Sequence, residues 1–86
     1  MGYAQLLLSL ATSAQIGLGL IPNPASGLIE RNVAMARQTI DLLSVLEEKT
    51  RGNLTEDERQ LQDELLYALR MQYVAAEQGG DLVKKG

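Results

Sequence analysis

Asp41 stands apart from the other carboxylates of this chain. It lies beside an apolar helix face rather than in a charged run, four residues after Arg37. With no histidine and no cysteine present, general acid–base work would fall to Asp, Glu, Lys or Tyr. If the segments on either side of Asn53 fold back as antiparallel helices about 8–10 Å apart, Arg70 comes within reach of Asp41. Arg37, Asp41 and Arg70 then form one polar cluster. Guanidinium groups bind carboxylates and phosphates in bidentate fashion, so the cluster could hold an anion. The commoner use of such a contact is a clamp that fixes helix register, and that reading is preferred.

Two other groups invite a chemical reading. The turn Lys49-Thr50-Arg51-Gly52-Asn53 is basic, contains glycine and precedes a helix start, as parts of an anion site do. It lacks the spacing of a phosphate-binding loop and follows no strand. Each of its residues also has a capping explanation. The acids Glu47, Glu48, Glu56, Asp57, Glu58, Asp63 and Glu64 could suggest a metal. Consecutive acids on a helix diverge, however, and no twelve-residue calcium loop is present. A solvated acidic face is the better reading. Tyr67 and Tyr73 suit the edge of a core or interface, where a ring is covered and its hydroxyl stays wet. No catalytic, cofactor-binding or metal-ligating residue is assigned, and the chain is not expected to be an enzyme.

Composition narrows the partners. Eight basic and eleven acidic residues give a net charge of -3, which argues against nucleic acid. Three tyrosines are the only aromatics, too few for a base-stacking platform. Disulfides and Cys/His metal sites are excluded. At 86 residues the chain is one small domain, near the size where a single core barely offsets chain entropy. A partner subunit is the remaining support.

The elements that would position these residues are helical. The fold class expected is all-α: an N-terminal apolar helix and an antiparallel αα-hairpin, with helices over about 3–20, 29–51 and 56–77. They form one domain over 1–78, with a flexible tail over 79–86. Met1 to Ile29 hold no side chain charged at neutral pH; the first is Glu30. Such a segment is buried in protein or in lipid, and polar interruptions at Gln5, Ser9, Thr12, Ser13 and Gln15 favour protein. Ser9, Ser13 and Gly17 fall four residues apart, a small-residue stripe that lets helices approach closely. With Leu6 and Leu10 they are the candidate interface. Leu6, Leu10, Ile16 and Leu20 are also expected to fill a core. Gly17 to Gly27, with Pro22 and Pro24, breaks the first helix.

Asn32 is the expected N-cap of the second helix, whose apolar face carries Ala36, Ile40, Leu43 and Leu46, widened by Met35, Leu42 and Val45. Gly52 and Asn53 stop it. Thr55 with Glu58 three residues on makes a capping box for the third helix. That helix lines up Leu61, Leu65, Ala68 and Gln72, widened by Leu66, Leu69, Tyr73 and Ala76. Gly79 and Gly80 are expected to end it.

The run ARQTIDLLSVLEEKTRGNLT, followed by LLYALRMQYV, resembles an uncharacterised bacterial family of small all-helical proteins, a domain of unknown function. The likeness covers Gln5 to Val74, including the Leu-Gly stretch and the Pro-Asn-Pro loop. Leu28 and Ile29 depart from the pattern by being apolar. The resemblance implies an all-helical fold and no activity. Together these readings predict a non-enzymatic structural or protein-interaction module, acting in the cytoplasm as a homo-oligomer, a dimer first. A further protein partner is open. The alternative is a membrane-associated protein that inserts its first helix. Nucleic acid, cofactors and metals play no part in either.

Overall fold

A computed structural model describes the backbone of residues 2–85 and the side chains of residues 2–78. The chain forms three helices, α1 (Tyr3–Gly17), α2 (Val33–Lys49) and α3 (Glu56–Lys85). No strand occurs among the described residues. The fold is all-α.

Each helix buries positions spaced by four and then three residues: Leu7, Ala11 and Ala14 on α1; Ala36, Ile40 and Leu43 on α2; Gln62, Leu66 and Leu69 on α3. This is the spacing at which one face of a helix stays turned toward its neighbours. The α1 positions differ from those expected. Leu10 is half-buried against the core, whereas Leu20 is exposed. Leu6 and Ile16 are half-buried as well. On α2, Leu42 and Val45 are exposed rather than widening the core, and Met35 is partly exposed with its Cε against Gly17.

The ends of the helices follow from local chemistry. After α1, Leu20 N–H donates to Gln15 O (3.0 Å) and Gly19 N–H to Ile16 O (3.0 Å). This is a Schellman motif, and it needs the φ of +79° that Gly19 supplies. α1 therefore stops at Gly17, before the expected position 20. The Asn32 side chain accepts from Met35 N (3.1 Å), so α2 begins at Val33 and leaves Leu28 and Ile29 in the loop. That loop is ordered by Asn23, whose N–H donates to Leu28 O (2.8 Å) and whose side chain accepts from Ala25 N (2.9 Å). α2 ends in the turn closed by Asn53 N to Thr50 O (2.8 Å), with Gly52 at φ +85°. Thr55 and Glu58 satisfy each other's amides at 2.9 and 3.2 Å. α3 continues through Gly79 and Gly80, because two glycines weaken a helix without removing a backbone donor. The expected tail over 79–86 lies, for its side chains, outside the described residues.

Gly17 allows α1 to approach the start of α2 closely. A Cβ there would stand 2.8 Å from Asn32 O and 3.1 Å from the Ala36 Cβ. The two backbones are joined at this point by Asn32 N–H to Gly17 O (2.7 Å). The tight contact of the small-residue stripe is thus within one subunit, while Ser9 and Ser13 are exposed. Gly17→Leu is expected to lower stability by at least about 1–3 kcal/mol through overpacking. Urea unfolding followed by circular dichroism measures it. An unchanged midpoint would show that α1 and α2 are not in contact at Gly17.

Candidate functional site

Arg37, Asp41 and Arg70 come together. They line a groove of about 300 Å³ between α2 and α3, with Ile40, Ser44, Tyr73 and Val74. The helical spacing of Arg37, Asp41 and Ser44 places all three on the α3-facing side of α2. The tight turn at Gly52 then brings Arg70 and Tyr73 alongside. The bonding differs from a simple Asp–Arg clamp. Arg70 Nη2 donates to Ser44 Oγ (2.8 Å). Ser44 in turn donates to Ile40 O (3.2 Å). Among the described residues Asp41 makes no ion pair. This α2–α3 link therefore runs through Ser44 rather than Asp41.

The basic turn is occupied by its own partners. It borders a hollow of about 360 Å³ near Arg51, Gly52, Arg59 and Gln62. Arg51 pairs with Glu47 (3.1 Å). Arg59 pairs with Asp63 (2.9 Å) and with Glu56. Both guanidinium groups already hold carboxylates, which leaves little field for an incoming anion. Among the described residues no three acidic side chains converge as metal ligands would.

A polar contact that sequence reading missed lies deeper. The Tyr3 hydroxyl donates to Gln62 Oε1, and Gln62 is 2% exposed. The contact ties the start of α1 to the start of α3. Gln62 precedes Leu66 by four residues and Leu69 by seven. That spacing was the available signal, and its polarity concealed it. Gln72 Oε1 is also buried and has no partner among the described residues.

A family model described as domain of unknown function (DUF1844) matches residues 1–75. The chain belongs to this family. The DUF1844 match takes in α1, α2 and the groove as far as Tyr73 and Val74. Comparison with curated proteins and with solved structures gives no match. Among the described residues, no helix of this DUF1844 chain is long and apolar enough to cross a membrane, which weakens the reading of α1 as an inserted helix.

Two outcomes follow from these contacts. Tyr3→Phe removes the partner of a buried amide and should cost about 1–3 kcal/mol. Tyr3→Phe combined with Gln62→Leu should recover most of that loss, because no buried polar atom is then stranded. A double-mutant cycle in urea checks both, and additive losses would contradict the pairing. The second outcome concerns acid. The hydrogen bond and charge of Arg59 hold the Glu56 carboxyl below its ordinary value of 4.5. A carboxyl lowered on folding stabilises the fold above its unfolded pKa, and that contribution is lost as pH falls through the folded one. Wild type should therefore lose stability below about pH 4.5 more steeply than Glu56→Gln. The difference should vanish at about 1 M salt, where exposed pairs are screened. Parallel acid titrations of the two proteins decide it.

Proposed function

We propose that this chain is a non-enzymatic protein-interaction module of the cytoplasm that acts as a homo-oligomer, with a dimer as the simplest form. The observation that carries this reading is the apolar surface left uncovered by so small a core. Leu8, Leu42, Val45, Tyr67, Met71 and Val74 stand on outer helix faces, 47–68% exposed. Scattered apolar residues are normal on a monomer, but six large ones about half exposed or more on a domain this small favour an association surface. The chain also has no disulfide to supplement its core, and small domains in that position are commonly supported by a second subunit.

The groups present favour a non-enzymatic role. The polar side chains of the α2–α3 groove are exposed or half-buried. Arg51 of the basic turn and Arg59 beside it are held by neighbouring carboxylates. Among the described residues no nucleophile is hydrogen-bonded to a base, which activated hydroxyl or amine chemistry requires.

The test is mass in solution. Sedimentation equilibrium of the full chain across about 1–200 µM, the range where modest interfaces populate, should give a weight-average mass rising toward twice 9.4 kDa. A mass that stays at 9.4 kDa throughout would overturn the homo-oligomer.

A further inference from the structure

The groove between α2 and α3 is longer than its first hollow. A second one, of about 510 Å³, adjoins it and shares Arg37, Asp41 and Tyr73. The first hollow reaches Arg70, the second Glu77. Four charges therefore border one groove, centred on Tyr73. Because α2 and α3 are antiparallel, Asp41 lies at the Arg70 end and Arg37 at the Glu77 end. The signs alternate both along each helix and across the groove. Arg70, Val74 and Glu77 also fall at intervals of four and three, so they share one side of α3. Val74 is 49% exposed between the two charges, and Met71 and Tyr67 extend the apolar strip beside it.

A groove with two arginines, an aspartate and a glutamate is neutral as a whole. An anionic ligand would meet Asp41 and Glu77 as well as the arginines, and a cationic one would meet Arg37 and Arg70. A surface carrying the same alternation in reverse complements it at every position. The chain supplies such a surface itself, once turned by a two-fold axis across the groove at Tyr73. Two-fold interfaces are self-complementary in this sense: residue i meets j, and j meets i.

We infer that a second copy of this chain covers the groove, with α3 antiparallel to α3 of the other copy, so that Arg70 of each faces Glu77 of the other and Arg37 of each faces Asp41 of the other. Val74 and Met71 of the two copies form the apolar centre, rimmed by these pairs, as interface cores are. The antiparallel arrangement is chosen because it alone brings the Val74 strips of both copies together. The inference rests on the self-association proposed above.

The experiment uses two single variants of the full chain, Arg70→Glu and Glu77→Arg. Each alone opposes like charges at both ends of the interface, and association should weaken at least about tenfold. Mixed in equal amounts, the two variants pair Glu with Arg and Arg with Glu. Sedimentation should then show wild-type mass regained. A purely local role for Arg70 or Glu77 would not be rescued by mixing, nor would a packing of α2 against α3 of the other copy. Circular dichroism confirms that each variant is folded. Should Arg70→Glu lose helicity with its Ser44 contact, the pair Arg37→Glu and Asp41→Arg is read in the same way. An oligomeric wild type whose variants keep its mass, or whose mixed variants stay dissociated, overturns this interface and leaves self-association standing. A wild type that is monomeric at every concentration overturns both.

Discussion

The contact on which the rest of this structure depends is the meeting of α1 and α2 at Gly17. There the backbone of Asn32 hydrogen-bonds directly to the backbone of Gly17, and the Ala36 side chain lies where a Gly17 Cβ would press. A hydrogen bond between backbones of different elements is possible only if no side chain separates them. The same residue, Asn32, caps α2 with its side chain. One residue thus ends the loop, starts α2 and anchors it to α1. On the α1 side of this joint the inner surface can be narrow: Ala11 and Ala14 bury almost completely, with Leu7 and the C-cap Leu18 as the larger pieces. Close approach replaces bulk as the means of excluding water.

That choice has a consequence for the outer surface. The core draws on alanines along α1 and on leucine and isoleucine from α2 and α3, and several large apolar residues adjacent to it in sequence are not drawn in. Leu42 and Val45 stay exposed on α2, Tyr67 and Met71 on α3, and Val74 at the edge of the groove between them. Bulk placed on the outside of the bundle is what the proposed self-association would use. The bundle need only be rigid enough to hold those faces still. The polar ties serve that end: Tyr3 to Gln62 between α1 and α3, Arg70 to Ser44 between α2 and α3, and Arg31 to the carbonyl of Ala76 between the loop and α3. Each spans two elements, and each resists sliding of one helix along another.

Much of this fold was legible from residue types, because caps and turns are local. Asn32, Gly52 and the Thr55–Glu58 box act within four residues of themselves, and their chemistry does not depend on what packs nearby. The all-α class and the hairpin follow from them. What could not be read was which apolar residues turn inward. Periodicity finds a stripe, but on helices with apolar residues on several sides more than one stripe fits. The true stripe on α1 runs through alanines, and on α3 through Gln62, which an apolar pattern passes over. Gly17 was legible as a close-contact residue but not as to its partner, since a small-residue stripe serves an internal neighbour as well as an external one. In the polar cluster, Arg37, Asp41 and Arg70 could be placed together from the hairpin's register. The acceptor that Arg70 takes is Ser44, because a hydroxyl one turn along α2 satisfies the guanidinium without drawing Asp41 from water.

The free state of Asp41 bears on what the groove is for. A clamp that existed only to fix the hairpin would be strongest with Asp41 bound to Arg70, as charged partners exceed a serine in strength. Instead the internal tie uses a neutral hydroxyl, and Asp41 is exposed beside the groove. Charges left facing outward cost little in water. On association, they select a partner more than they strengthen the contact, by raising the energy of every arrangement that brings like signs together. Apolar surface alone would accept many partners and many registers. The alternation of Arg37, Asp41, Arg70 and Glu77 around Val74 restricts that choice, and a copy of the same chain satisfies the restriction without any further component.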